Sequence, residues 1–156
     1  MSKPIVRKKN SKYTQGIFQP KYPEKYRGSL PIYYRSNMEL CALRMLDNNP
    51  NVLTYGSESV VIPYTSPLDG RIHRYFVDLV AALKDRNGTI KKLLIEVKPH
   101  KLLSPPIFSN RKSQSTLLYE NKQYAINMAK FAAAKQWCEK NNYTFLILTE
   151  REIAPK

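Results

Sequence analysis

The chain has 156 residues, the length of one ordinary domain, and carries 26 Lys and Arg against 12 Asp and Glu for a net charge of +14. An excess of that size calls for a polyanionic partner, with nucleic acid the first candidate. No run approaches the roughly 18 consecutive apolar residues of a spanning helix, and the first ten residues lack the apolar block of a secretory signal. No membrane is therefore expected, and a reducing cytoplasm is.

Residues 1–30 are basic, rich in Tyr and Pro, and free of apolar periodicity. They read as an extended arm in which Lys3, Arg7, Lys8, Lys9, Lys12, Lys21, Lys25 and Arg27 form an electrostatic tether. The compact domain is expected over residues 31–156. Ser36 or Asn37 is placed to cap a helix running to Asp47, with Met38, Cys41, Ala42, Met45 and Leu46 on one apolar stripe and Glu39 at its edge. A carboxylate there either complements the helix macrodipole or points into a site, and the pattern leaves both open.

Val60–Tyr64, Ile72–Lys84 and Thr89–Lys98 read as an antiparallel meander, with turns at Ser66–Gly70 and Asp85–Gly88. A proline-containing loop through Pro99, Pro105 and Pro106 carries the basic pair Arg111 and Lys112. The spacing then predicts a helix over Leu117–Asn141. It has Tyr124, Met128, Phe131, Ala132 and Cys138 on apolar stripes and Gln123, Asn127 and Lys130 on a polar one, which is either a solvated face or a substrate-facing row. Tyr143–Thr149 is expected as a last buried strand. The order of elements implies an α/β or α+β fold around a mixed sheet. Cys41 and Cys138 fall in helical apolar patterns and read as buried free thiols.

The chemistry concentrates at the third strand of the meander. Successive strand side chains point to opposite faces, so Glu96 and Lys98 share one face while Ile95 and Val97 take the other. If Arg86-Asn87-Gly88 form a three-residue loop with Gly88 left-handed, Asp85 pairs with Thr89 and Asp78 lies across from Glu96. A two-residue Asn87-Gly88 loop would send the two acids to opposite faces. With the first register, two carboxylates and a lysine meet as a metal-dependent phosphodiester-cleaving site requires. Asp78 and Glu96 are hard oxygen ligands for Mg²⁺, the Val97 carbonyl is a candidate third, and Lys98 is placed to orient water or neutralise developing charge. The plain alternative is an exposed cross-strand charge cluster. Against it, Phe76–Val80 and Leu93–Val97 each set an acid inside an apolar run, where an unpaired charge is costly.

Asp78, followed eighteen residues later by Glu96-Val97-Lys98 and preceded by a helical Glu39, resembles the PD-(D/E)xK nucleases of restriction-endonuclease-like fold. Longer runs resemble the head-completion nucleases of myophages. These are Tyr34-Arg35-Ser36 with Glu39, Ile62-Pro63-Tyr64, Asp69-Gly70-Arg71, His73 through Asp78, Ile95 through Pro99, and Leu148 through Glu152. The chain is also similar to the transposase subunit of the same superfamily that cuts beside transposon ends. Val77 stands where the motif has proline.

The resemblance implies a Mg²⁺-dependent DNase, with Mn²⁺ able to substitute, of endonuclease and perhaps exonuclease action, working when a filled phage head is finished and joined to its tail. It makes Asp78 and Glu96 metal ligands, Lys98 the catalytic lysine and Glu39 the helical acid. The substrate would be double-stranded DNA and the protein partners those of the head–tail connector, in the host cytoplasm or on the virion. Arg71, Arg74, Lys101, Arg111 and Lys112 flank the site in sequence and are expected to hold phosphates without reading bases. His73 and His100 read as surface or structural residues. Two other functions compete: a non-catalytic DNA-binding structural protein of the connector, and a nucleic-acid-binding module whose tyrosines stack on bases.

Overall fold

The computed structural model describes residues 15–153. Thirteen short elements run β1 (Gly16–Phe18), a 3₁₀ turn (Pro23–Lys25), β2 (Ile32–Tyr34), α1 (Asn37–Asn48), β3 (Val52–Ser57), β4 (Val61–Thr65), β5 (Ile72–Phe76), β6 (Leu79–Lys84), β7 (Ile90–Val97), a second 3₁₀ turn (His100–Leu103), α2 (Gln114–Asn141), β8 (Thr144–Leu148) and α3 (Glu150–Ile153). The central sheet has the order β3-β6-β7-β8. Its first two ladders are antiparallel and the β7–β8 ladder is parallel, so the expected mixed sheet is present.

Helix α1 starts as its sequence dictates. Ser36 is the N-cap, its hydroxyl accepting from the Glu39 amide at 3.1 Å, while the Glu39 carboxylate accepts from the Arg35 amide at 2.9 Å. The buried stripe is Ala42, Leu43 and Leu46, rotated from the one expected, with Met45 exposed. This face packs with Tyr55, Leu79, Ala81, Ile95 and Val97 on one side of the sheet. On the other side, Leu94 joins Ile62, Tyr75, Val77, Ala134 and Cys138 beneath α2. Strand alternation therefore assigns Glu96 and Lys98 to the α2 side of β7. Helix α2 is capped by Ser113 and starts at Gln114, three residues ahead of the expected start, and stops at Asn142 in the left-handed region at φ 60°. Cys41 and Cys138 are free, the latter buried. No described helix is long and apolar enough to cross a membrane.

Three features differ from the sequence expectation. First, β3 is a strand that the pattern did not mark: Val52 and Tyr55 are buried, but Thr54, Gly56 and Ser57 dilute the period-2 signal. Second, the expected strand Ile72–Lys84 is two strands. β4–β5 forms its own ribbon, with Val61 opposite Phe76, while β3–β6 ends at Ser57 opposite Leu79. Between these pairs stand three residues on one side (58–60) and two on the other (77 and 78). Such a mismatch is a bulge, which bends the ribbon and re-aims side chains. Glu58 takes φ 50° there, and its amide donates to the Asp78 carbonyl at 3.0 Å.

Third, residues 16–30 are part of the packed domain. Phe18 and Tyr26 are buried, β1 pairs with β2, and the Arg27 amide donates to the Tyr55 carbonyl at 2.8 Å. Gly56 makes room for this approach, since a Cβ there would lie 2.6 Å from the Arg27 carbonyl oxygen. The anchor is the buried carboxylate of Asp47, which accepts from the amides of Lys21 (2.8 Å) and Tyr22 (3.3 Å) and from the Tyr55 hydroxyl (2.9 Å). Lys25 caps the C-terminus of α1, its ammonium donating to the carbonyls of Leu46, Asp47 and Asn49. The lysines of the tether thus include one that closes a helix. Lys3, Arg7, Lys8, Lys9 and Lys12 lie outside the described residues.

Candidate active site

The β6–β7 turn has the three-residue form. Gly88 is left-handed at φ 80°, and the Asp85 amide donates to the Thr89 carbonyl at 2.9 Å. Pairs run from Lys84–Ile90 to Leu79–Ile95, and one further step in the same register sets Asp78 across from Glu96. Asp78 stands at the bulge, where its Oδ2 accepts from the Val97 amide at 2.8 Å. Glu96 is almost fully buried. Its Oε1 lies 3.2 Å from the Lys98 ammonium, and its Oε2 accepts from the buried Tyr75 hydroxyl. The Lys98 amide donates to the Leu148 carbonyl at 3.0 Å, so the parallel strand β8 fixes the lysine's backbone.

Burial of negative charge is costly, and it raises the pKa of Asp78. Burial first, then the neighbouring Glu96 charge, pushes Asp78 well above the ordinary carboxylate range, against the pull of the Val97 amide. Glu39 is also raised, mainly by burial. Its carboxylate completes the start of α1, the helix-start reading, and the charges of Glu58 and Glu96 also raise it, while its own charge raises Asp78. No three His, Cys, Asp or Glu among the described residues converge as a ready metal cluster. The available donor set is the Asp78–Glu96 pair. That suits Mg²⁺, which keeps several waters and takes only one or two carboxylates.

Tyr75 and Lys130 stand beside the Asp78–Glu96–Lys98 cluster; the sequence marks Lys130 only as part of a stripe either solvated or substrate-facing, and does not mark Tyr75. Tyr75 belongs to an apolar run and reads there as core. Lys130 lies on the polar stripe of α2, with its ammonium 5.4 Å from the Tyr75 ring centroid and 5.7 Å from that of Tyr64. That stripe is not simply solvated: Gln123 is exposed, but Asn127 is buried and Lys130 half-buried. Arg35 is a further addition, its guanidinium 3.2 Å from Glu58.

The expected phosphate contacts are spread over the rim. Lys101 is exposed in the 3₁₀ turn just beyond Lys98, and Arg71 and Arg74 are exposed on the β4–β5 ribbon, Arg74 against the Phe76 ring at 5.6 Å. Arg111 is exposed on the loop before α2. Lys112 is committed elsewhere, to Glu120 at 2.9 Å and the Ile107 carbonyl at 3.0 Å. His73 pairs with Asp69 at 2.8 Å, and the His100 amide donates to Glu150 at 2.9 Å. The Leu148–Glu152 run is structural: Glu152 accepts from both the amide and the hydroxyl of Thr149, closing α3 onto the end of β8.

Comparison with known proteins agrees with this geometry. Residues 49–150 match the model of the TnsA-like endonuclease N-terminal domain, a span that contains Asp78, Glu96 and Lys98. The chain is also similar to the head completion nuclease of Enterobacteria phage T4, with 37% identity over 139 residues, 86% of this chain and 90% of the relative. The mixed sheet is thus that of a restriction-endonuclease-like domain, and the chain belongs to the TnsA-like endonuclease family.

Proposed function

We propose that the chain is a Mg²⁺-dependent DNA nuclease that cleaves phosphodiester bonds of double-stranded DNA during phage head completion and head–tail joining. Mn²⁺ is the expected substitute ion. The observation that supports this most directly is the register that sets Asp78 across from Glu96, with Lys98 on the same face as Glu96. The name of the T4 relative, head completion nuclease, supports the stage of assembly. Head–tail connector proteins are the corresponding partners, and the host cytoplasm is where such assembly takes place.

Asp78 and Glu96 would hold the ion, with the Val97 carbonyl as a third oxygen and Glu39 as the helical acid beside them. When bound, the ion would polarise the phosphate and lower the pKa of a coordinated water. The protein's own groups do the rest. The Val97 amide fixes one Asp78 oxygen and the Tyr75 hydroxyl one Glu96 oxygen, so neither carboxylate has to reorganise as charge develops. Lys98, beside Glu96, serves the charge accumulating on the phosphoryl oxygens. Arg71, Arg74, Lys101 and Arg111 would grip backbone phosphates on either side of the cut, giving affinity without base readout. Endonucleolytic cutting is the primary activity proposed, with exonucleolytic trimming from ends by the same site.

The test is cleavage of supercoiled and linear DNA in Mg²⁺ or Mn²⁺, with EDTA and the Asp78→Ala, Glu96→Gln and Lys98→Met variants as controls. Metal-dependent cutting lost in all three folded variants supports the reading. DNA binding without cutting would favour a non-catalytic connector protein that uses its charge on packaged DNA.

A further inference from the structure

Lys130 is a half-buried cation with no anion among the described residues. Among the described residues no carboxylate forms an ion pair with it and no hydrogen-bond acceptor takes its protons; its recorded contacts are the faces of Tyr75 and Tyr64, at 5.4 and 5.7 Å. Aromatic faces attract an ammonium and align it, but they leave its N–H donors unspent. One of the two rings is tied to the site, because the Tyr75 hydroxyl is bonded to Glu96. Lys130 therefore stands one aromatic ring from a carboxylate of the proposed metal-binding pair, on the side of the sheet that Glu96 and Lys98 face.

The charge arrangement makes that position useful. Lys98 is already paired with Glu96 at 3.2 Å, so an arriving phosphodiester competes with a carboxylate for it. Lys130 has no such competitor. Its proton is easier to lose than that of an ordinary lysine, through burial first and the nearby charge of Lys98 second, while Glu96 and Asp78 oppose the shift. All three groups of the proposed centre thus act on it electrostatically.

We propose that Lys130 is a further catalytic residue, whose ammonium, held over Tyr75 and Tyr64, donates to a non-bridging oxygen of the scissile phosphate alongside Lys98. The phosphate supplies the acceptor that the protein does not, and Lys130 remains protonated throughout. It binds charge and transfers no proton. This role rests on the nuclease reading of the Asp78–Glu96–Lys98 site. It identifies the Lys130 end of the polar stripe of α2 as substrate-facing.

Full-length protein with Lys130→Met, which keeps most of the stem on the tyrosine rings, and Lys130→Arg, which keeps the charge, provides the test. Three quantities are measured: the thermal midpoint, the single-turnover cleavage rate in Mg²⁺, and the salt dependence of duplex binding in EDTA. The expected result is an unchanged midpoint for both variants and a rate lower by roughly 10- to 100-fold in Lys130→Met. Lys130→Arg should recover much of that loss, and the salt slope of Lys130→Met should fall by about one phosphate contact. Wild-type rate and slope in Lys130→Met would overturn the assignment. So would equal losses in both variants with a lowered midpoint, which would mark a packing role. If the unmodified chain fails to cut in any divalent metal while Asp78→Ala binds DNA as it does, the nuclease reading fails as a whole. Cutting by the unmodified chain that is indifferent to Lys130→Met removes only Lys130.

Discussion

Tyr75 and Glu96 come from different sheets, and their side chains meet in a buried hydrogen bond in which the phenol donates to Oε2 while Lys98 lies 3.2 Å from Oε1. Both oxygens of Glu96 are thereby assigned, and the β4–β5 ribbon is bonded directly to β7. Burial, followed by the Glu96 charge, pushes the Tyr75 phenol far above its ordinary range, so it remains a donor at any working pH. Tyr75→Phe keeps the ring and removes only this bond. We expect Mg²⁺ affinity lower by about 10- to 100-fold. Cleavage should fall at limiting metal and largely recover when Mg²⁺ is raised. A Mg²⁺ titration of cleavage rate, with direct calorimetric binding, checks this; an unchanged titration would show that Glu96 needs no help from the phenol.

Asp78 gives a pH prediction whose sign can be worked out. Its folded-state pKa is raised, by burial and then by Glu96. A group of this kind contributes stability that is fully present below its unfolded pKa of about 3.9 and is lost as pH rises through the folded value. The metal-free protein therefore loses stability progressively as pH rises from the unfolded value through the raised folded one. Asp78→Asn mimics the protonated acid and should be inactive yet more stable than the parent in EDTA. The gain in midpoint is expected to be on the order of several degrees at neutral pH, to shrink as pH is lowered, and to reverse in saturating Mg²⁺, which binds only the parent. Thermal melts across pH with and without Mg²⁺ measure all three. A variant less stable than the parent in EDTA at neutral pH would contradict the assignment of charge.

What could be read from the sequence follows from how local each feature is. The helix start and the β6–β7 register depend on a few adjacent residues, and the sequence narrows each to two alternatives: Ser36 rather than Asn37 is the cap, and the three-residue loop rather than the two-residue one is the turn. The Asp78–Glu96 pairing follows from that turn alone. Tyr75 and Lys130 were not legible as site residues, because a phenol within an apolar run and a lysine on a polar stripe acquire meaning only from α2 packing against the ribbon. The break at Val77 and Asp78 needed knowledge of β3, whose Gly56 and Ser57 hide its period. The tie between residues 16–30 and the domain needed Asp47, which as a helix-end acid reads as exposed but is 2% exposed.

That buried Asp47 carries a stability prediction separate from catalysis. It accepts from two main-chain amides and the Tyr55 hydroxyl, joining residues 21 and 22 to α1 and β3. Asp47→Ala leaves three donors without their acceptor, and a loss of about 3–5 kcal/mol is expected, of the size seen when one partner of a buried charged network is removed. Chemical denaturation measures it. Cleavage per folded molecule should be unchanged at low temperature, since none of these groups touches the Asp78–Glu96 pair. A loss below about 1 kcal/mol would mean that the Tyr26 and Phe18 contacts hold the segment by themselves.

Glu39 is both a helix-start residue and the proposed helical acid, and two substitutions separate these roles. Glu39→Gln keeps an oxygen that accepts from the Arg35 amide, so α1 should hold its start and the thermal midpoint should stay close to that of the parent. Only the charge is removed, together with its repulsion of Asp78. Glu39→Ala loses the acceptor as well and is expected to cost about 1 kcal/mol more. If the charge of Glu39 works in catalysis, both variants lose cleavage to a similar extent, at least about 10-fold, although only one loses stability. If Glu39 serves the helix alone, Glu39→Gln cuts at the parental rate, and the site reduces to Asp78, Glu96 and Lys98 with the tyrosine and lysine that flank them.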